Sequence, residues 1–201
     1  PQAGHEKAYI VYELMVEGGI TRMMALFKDV DVEKIGSSRS ARIQFLDYVY
    51  ENDAIYAHAG GAQDAIERIR NEKINDVDVD GKYGFRDKTL DRAWEHKLFT
   101  STKQLKEGAE AKNYSLTTNS GNLLNYSVED IDTSKFEGSS VAKNVSIKYS
   151  SYRTSNYVYD ETTKTYLRSM NDTKNIDLFT GKQYTVKNII VYAVEYSNYT
   201  D

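Results

Sequence analysis

The stretch Asp53-Ala-Ile-Tyr-Ala-His-Ala-Gly-Gly-Ala-Gln-Asp-Ala-Ile-Glu-Arg-Ile-Arg-Asn-Glu-Lys73 decides how the first half of the chain is read. Asp53–His58 is short and apolar, which predicts a buried strand, and Gly60-Gly61 ends it. From Ala62 to Lys73 the apolar residues Ala65, Ile66 and Ile69 recur at helical spacing, so a helix with that face inward is expected. A strand that feeds directly into a helix points to a mixed α/β layer.

Toward the N-terminus, Ala8-Tyr-Ile-Val-Tyr-Glu-Leu-Met-Val-Glu17 and Ile20-Thr-Arg-Met-Met-Ala-Leu-Phe27 are apolar runs split by Gly18-Gly19. That pattern predicts a β-hairpin. A helix over 7–17 competes, because Leu14, Met15 and Glu17 are good helix formers. In Ile35-Gly-Ser-Ser-Arg-Ser-Ala-Arg42, Ser37 or Ser38 is expected to cap a helix whose apolar stripe is Phe45, Leu46, Val49 and Tyr50. Toward the C-terminus, residues 75–100 look irregular, with Gly81, Gly84 and many charges. Thr100 or Ser101 is then expected to cap a surface helix running to about Ala111.

Beyond Tyr114 the composition shifts. Eleven of the 17 tyrosines lie from there onward, among many Ser, Thr and Asn residues, so this part is read separately. Val145–Tyr149, Asn156–Tyr159, Tyr166–Ser169 and Val186–Tyr196 predict strands. Asp160–Thr165 and Thr180–Lys182 predict turns. The expected architecture is α+β: an N-terminal mixed α/β layer domain over 1–115, then a mainly antiparallel β domain over 116–201. The boundary is expected in the Ser/Thr/Asn stretch 115–122.

Composition excludes several function classes. With 26 basic and 30 acidic residues the formal charge is -4, which gives nucleic acid no electrostatic footing. The absence of cysteine excludes disulfides, thiolate zinc sites and a cysteine nucleophile. No apolar run approaches the length needed to cross a bilayer. The chain starts at Pro1 without an initiator Met or a signal peptide, which reads as a mature or trimmed form.

Several motifs together resemble the YerB-like lipoproteins, a bacterial two-domain family with no reaction to carry over. In the first half these are Pro1-Gln-Ala-Gly4, Ala8-x-Ile-Val-Tyr-Glu13, Glu17-Gly-Gly-Ile-Thr-Arg22, Ile35-Gly-x-x-Arg-Ser-Ala-Arg42, His58-Ala-Gly-Gly61, Phe85-Arg-Asp87 and His96-x-Leu-x-Thr-Ser101. In the second half they are Tyr159-Asp-Glu-Thr-Thr-Lys-Thr-Tyr166, Asp177-x-x-Thr-Gly181 and Lys187-Asn-Ile-Ile-Val191. The resemblance covers nearly the whole chain. It implies an extracytoplasmic protein held at the outer face of the cytoplasmic membrane by a lipid anchor that this chain does not include.

The polar residues Glu17, Arg22, Arg39, Arg42, His58, Arg86 and His96 form the first candidate site. Guanidinium forks bind carboxylate or phosphate through paired hydrogen bonds. Arg39 and Arg42, three apart at an expected helix start, would share a face with free backbone N–H groups. Gly60 and Gly61 would let a ligand approach the backbone closely. Such a site suits an anionic or sugar-containing ligand, for example a wall polymer. The competing reading is that Arg39 or Arg42 pairs with Glu13, Glu17 or Asp47 and merely fixes the fold.

A second reading is hydrolysis or group transfer on wall material. Here His58 or His96 is the base, Glu17 or Asp87 its partner, and Ser38, Ser40 or Ser101 the nucleophile. No nucleophile-elbow motif accompanies them. A third is a calcium loop, because Asp76, Asp78, Asp80, Gly81 and Asp87 fall at loop positions one, three, five, six and twelve. Against it, Val77 and Val79 fit the inward face of a strand. No other cofactor is expected. Tyr152, Tyr157, Tyr159 and Tyr166 could stack on sugars, but half-buried strand positions commonly hold tyrosine.

Overall fold

The computed structural model describes residues 2–118 and 120–195. Strands β1 (Ile10–Met15) and β2 (Thr21–Leu26) form an antiparallel hairpin running from the pair Ile10–Leu26 to the pair Met15–Thr21. Its turn places Gly18 at φ 68 and Gly19 at φ 66, where L side chains are strained. The two glycines therefore favour the hairpin over the competing helix.

The chain continues through β3 (Ile35–Gly36), α1 (Leu46–Glu51), β4 (Tyr56–His58), α2 (Gln63–Glu72), β5 (Asp76–Asp78), β6 (Phe85–Arg86), β7 (Leu98–Thr100) and α3 (Thr102–Ala111). The unit β4–α2–β5 has its two strands parallel, with Tyr56 beside Asp76 and His58 beside Asp78. This is the expected strand–helix layer. Strand β7 lies between β3 and β6, antiparallel to both. Ser101 caps α3 by accepting from the Gln104 N–H, as its position predicts.

The two faces of the layer bury different clusters. On one side Val16, Ala41, Phe45, Leu46, Val49, Tyr56, Ala65, Ile69 and Ile74 pack together, uniting hairpin, α1 and α2. On the other, Val77, Val79 and Leu98 pack with Leu105 of α3. Full burial of a side chain such as Leu46, which is 0% exposed, is worth about 1.5–3 kcal/mol.

Three expectations fail here. No helix begins at Ser37 or Ser38. Residues 37–42 are not helical, because the Ser38 N–H donates to Leu98, the Ala59 N–H donates to Arg39 and the Ala41 N–H donates to Gly60. The helix instead opens with a 3-10 turn at Ile43–Phe45 that lacks a side-chain cap, and Tyr50 lies 48% exposed rather than in the core. Residues 75–100 are not irregular throughout, since β5, β6 and β7 all lie there.

The third failure is in the last part. Strands β8 (Asn144–Ser150), β9 (Arg153–Asp160), β10 (Thr165–Met170), β11 (Thr173–Lys174) and β12 (Thr185–Val186) form one antiparallel sheet. The expected strand Val186–Tyr196 is paired only at its start. Val186 faces Tyr166, and β10 begins one residue earlier, so the ladder ends there; Tyr196 lies outside the described residues. The fold is α+β: the sheets are mostly antiparallel and the C-terminal part is mainly β. Among the described residues no helix is long and apolar enough to cross a membrane.

The hairpin packs against this last sheet through a buried polar network. Arg168 of β10 donates to Glu13 of β1 at 2.8 Å, to Ser155 at 3.0 Å and to Tyr157 at 3.3 Å, and it also bonds Asn175. Glu13 also accepts from Thr21 at 2.8 Å and from Ser155 at 3.0 Å. The Arg168 and Glu13 side chains are 5% and 8% exposed. Nearby, the Gly4 N–H donates to Asp177 at 2.7 Å and the Leu178 N–H to Gln2 at 2.7 Å.

Removing one charge strands the other in a dry environment. Arg168→Met is therefore expected to cost about 3–5 kcal/mol in urea denaturation, and the double variant Glu13→Gln/Arg168→Met clearly less. Equal losses in both would show that the ion pair is not what couples hairpin to sheet.

Candidate functional site

Glu17 sits in the hairpin turn, where the two glycines turn the chain back toward β2. Its carboxylate accepts from Arg22 Nη2 at 3.0 Å and from Arg42 Nε at 2.8 Å, and it also bonds Arg42 Nη2. Arg22 reaches in from β2 and donates to the Ser40 carbonyl at 2.6 Å. Arg42 ends the 37–42 segment and donates to the Ala41 carbonyl at 2.9 Å. Arg39, three residues before it, bonds no carboxylate among the described residues. It donates to the Glu95 carbonyl at 3.1 Å and lies 3.1 Å from His96 Nδ1.

Electrostatics follow this geometry. The Arg42 guanidinium, helped by Arg22, holds the Glu17 carboxyl down at about 2. Burial and repulsion from Arg42 and Arg39 push the Arg22 pKa down, which Glu17 only partly offsets. Asp64 acts on Arg42 from α2 but spends its Oδ1 on the Ala65 N–H. Two guanidiniums thus share one carboxylate, with a third, Arg39, within electrostatic range of Arg22. The Glu17 side chain is 54% exposed, so the cluster opens to solvent, whereas Arg22 and Arg42 are mostly covered at 14% and 17%. Arg42 turns to Glu17 and Arg39 toward Glu95 and His96, and no helix turn sets the two on one face. A six-residue α1 preceded by a 3-10 turn does not supply the expected anion-binding helix end.

His58 does not join them as an open ligand. It is 2% exposed, with Nδ1 at 2.8 Å from the Gly60 carbonyl and Nε2 at 3.2 Å from Asp76. Both ring nitrogens are engaged by groups of the protein itself, and the ring is buried away from any substrate. His58 and Lys112 hold Asp76 below the ordinary carboxylate range. Of the two loop glycines, Gly60 at φ 58 has open space beside it, whereas Gly61 approaches its neighbours closely. Ala41 bridges to Gly61, and a Cβ on Gly61 would meet Ile66 at 2.7 Å, so the glycine serves close packing.

The remaining candidates are dispersed. Asp87 binds Lys34 and Thr89, which hold its carboxyl at about 2, so it pairs with neither histidine. Arg86 pairs with Asp80 at 2.7 Å. Asp78 accepts from the N–H groups of Asp80 and Gly60. The four carboxylates of the calcium spacing thus have four separate sets of partners. Val77 and Val79 are 0% exposed, and among the described residues no group of His, Asp and Glu could jointly hold a metal ion. The Ser101 hydroxyl is committed to the α3 cap. Tyr157 is buried against Arg168 and Tyr159 packs edge-on to Tyr166 at 5.1 Å, so the tyrosines form no continuous exposed array.

Two residues escaped sequence reasoning. Asp76, read only as a calcium ligand, is the partner of His58, a relation created by the parallel β4–β5 register. Trp94, in the 3-10 turn Trp94–His96, is 60% exposed and stacks on Arg86 at 4.6 Å. The signal for it was its being the only tryptophan in the chain.

Comparison with known proteins fits this architecture. Residues 1–115 match the family described as "Protein of unknown function (DUF3048) N-terminal domain", and residues 145–201 match its C-terminal domain. The chain is 32% identical to "Putative lipoprotein YerB" of Bacillus subtilis (strain 168) over 197 residues, covering 95% of this chain and 57% of that protein. The crystal structure of the YerB protein from Bacillus subtilis superposes with a TM-score of 0.78 at 28% identity, over 92% of this chain and 61% of that one. This chain therefore spans less than two thirds of the relative's length. With the N-terminal family matching more than half of its residues, the chain belongs to the DUF3048 family, the YerB-like proteins.

Proposed function

We propose that this chain is the extracytoplasmic part of a membrane-anchored envelope lipoprotein, and that it binds an anionic ligand at the Arg22–Arg39–Arg42 cluster. The similarity to the Bacillus subtilis relative, itself described as a lipoprotein, supports the address. One observation carries the ligand: Arg22 and Arg42 share the single carboxylate of Glu17, and Arg22 is pushed down by burial and by its neighbours Arg42 and Arg39. A bound carboxylate or phosphate would relieve that repulsion, and Arg39 has a fork not committed to any acid. No observation favours hydrolysis, since both nitrogens of His58 are occupied and Asp87 is held by Lys34.

In this reading Glu17 competes with the ligand. Glu17→Gln is expected to tighten binding of inorganic polyphosphate several-fold, and Arg39→Ala or Arg42→Ala to weaken it about ten-fold, each less at high salt. Calorimetry at two ionic strengths checks this. Unchanged affinity in all three variants would sink the anion site. The address is checked in cells carrying the complete protein: it should partition with membranes and be cut by external protease, and a cytosolic, protected protein would refute it.

The same residue has a signature in stability. Its folded pKa of about 2 lies below the ordinary value of 4.5, so its contribution is present above that value and lost as pH falls toward 2. The exposed side chain is screened, so the loss is about 1 kcal/mol or less. Acid titration of unfolding should be flatter between these limits in Glu17→Gln than in the parent. Identical slopes would mean that the pairing adds nothing.

A further inference from the structure

We propose that Trp94 is a sugar-stacking platform adjoining the arginine cluster, so that the ligand is a glycan whose pyranose rings carry acidic groups. This rests on the anion-binding reading above and names its substrate class.

The indole is held from one side. The Arg86 guanidinium lies over the ring at 4.6 Å, donates to the Trp94 carbonyl at 3.1 Å and pairs with Asp80 at 2.7 Å. Its side chain is only 16% exposed, so that face of the ring is backed by a fixed group. Trp94 as a residue is still 60% exposed, and the face away from Arg86 is the one we assign to the ligand. An apolar surface already immobilised loses little side-chain freedom when a ligand settles on it. The C–H face of a pyranose is the natural complement of such a ring, whose negative face attracts the positively polarised hydrogens.

The platform also adjoins the charges. Arg39 donates to the carbonyl of Glu95, the residue after Trp94, and lies 3.1 Å from His96 Nδ1. Arg39 in turn is close enough to Arg22 to depress it, and Arg22 and Arg42 share Glu17. Arg39 thus stands between the Trp94–His96 turn, which it bonds, and Arg22, which it influences electrostatically. A bare polyanion engages only the arginine end and a neutral glycan only the indole. A glycan with acidic rings engages both, and two linked contacts add without new entropy of association.

Trp94 is the sole tryptophan, so its emission reports the platform directly in the unmodified chain. The probes are oligogalacturonate, with ring and charge, cellohexaose, with ring only, and inorganic polyphosphate, with charge only. Oligogalacturonate is expected to shift the emission saturably and to bind about five-fold or more tighter than cellohexaose. By calorimetry, Trp94→Ala should weaken oligogalacturonate about five-fold or more and polyphosphate less than about two-fold, while Trp94→Phe keeps most of the affinity. Oligogalacturonate binding with no emission change, and undiminished in Trp94→Ala, would overturn the platform and leave the indole a cover for Arg86. The arginine reading would survive that result. It fails separately if polyphosphate does not bind, or if cellohexaose binds as tightly as oligogalacturonate.

Discussion

The buried pair Glu13–Arg168 links two parts of the chain that lie 155 residues apart. Two ionised groups this far from water are costly unless every lone pair and donor finds a partner. Here Thr21 and Ser155 complete the carboxylate while Ser155, Tyr157 and Asn175 complete the guanidinium. An apolar seam would tolerate sliding by a residue or two. A network of this kind accepts one register of hairpin on sheet, and so sets where the Glu17 turn stands relative to everything else.

From that anchor the site is assembled by backbone pairing more than by side-chain packing. The hairpin turn offers Glu17 toward residues 37–42, which are held in place by bonds to Leu98 on one side and to Gly60 on the other. Arg22 and Arg42 can then reach the carboxylate of Glu17 without a helix to organise them. The close fit of Gly61 against Ala41 and Ile66 keeps that segment near its neighbours. The His58–Asp76 contact stiffens the same layer from beneath.

Much of this was legible before any coordinates. Two apolar runs around Gly18-Gly19 spell a hairpin, the spacing of Ala65 and Ile69 spells α2, and Ser101 announces the start of α3. These signals are local, and local signals survive folding. What escaped depends on partners distant in sequence. The course of residues 37–42 is decided by Leu98 and Gly60, so the capping serine misled, while the stripe Phe45, Leu46 and Val49 is buried as its spacing predicts. The strand expected after Val186 has the right composition but runs past the end of its neighbour. Of the polar residues singled out, Glu17, Arg22 and Arg42 meet at the hairpin turn, Arg39 turns toward His96, and His58 and Arg86 are drawn away by Asp76 and Asp80.

The family-level division of the chain and its physical division do not coincide. The hairpin matches the N-terminal family, yet its β1 carboxylate is satisfied by the β10 guanidinium, and the chain around Gln2 and Gly4 is bonded to Asp177 and Leu178. Residues 116–143 contain, among those described, no strand or α-helix. A cut there would sever the covalent link and leave the seam intact, so the two pieces should stay associated as a complementing pair. Either piece made alone would carry an unmatched buried charge. Exchange of whole modules between relatives would then require both sides of the seam to change together.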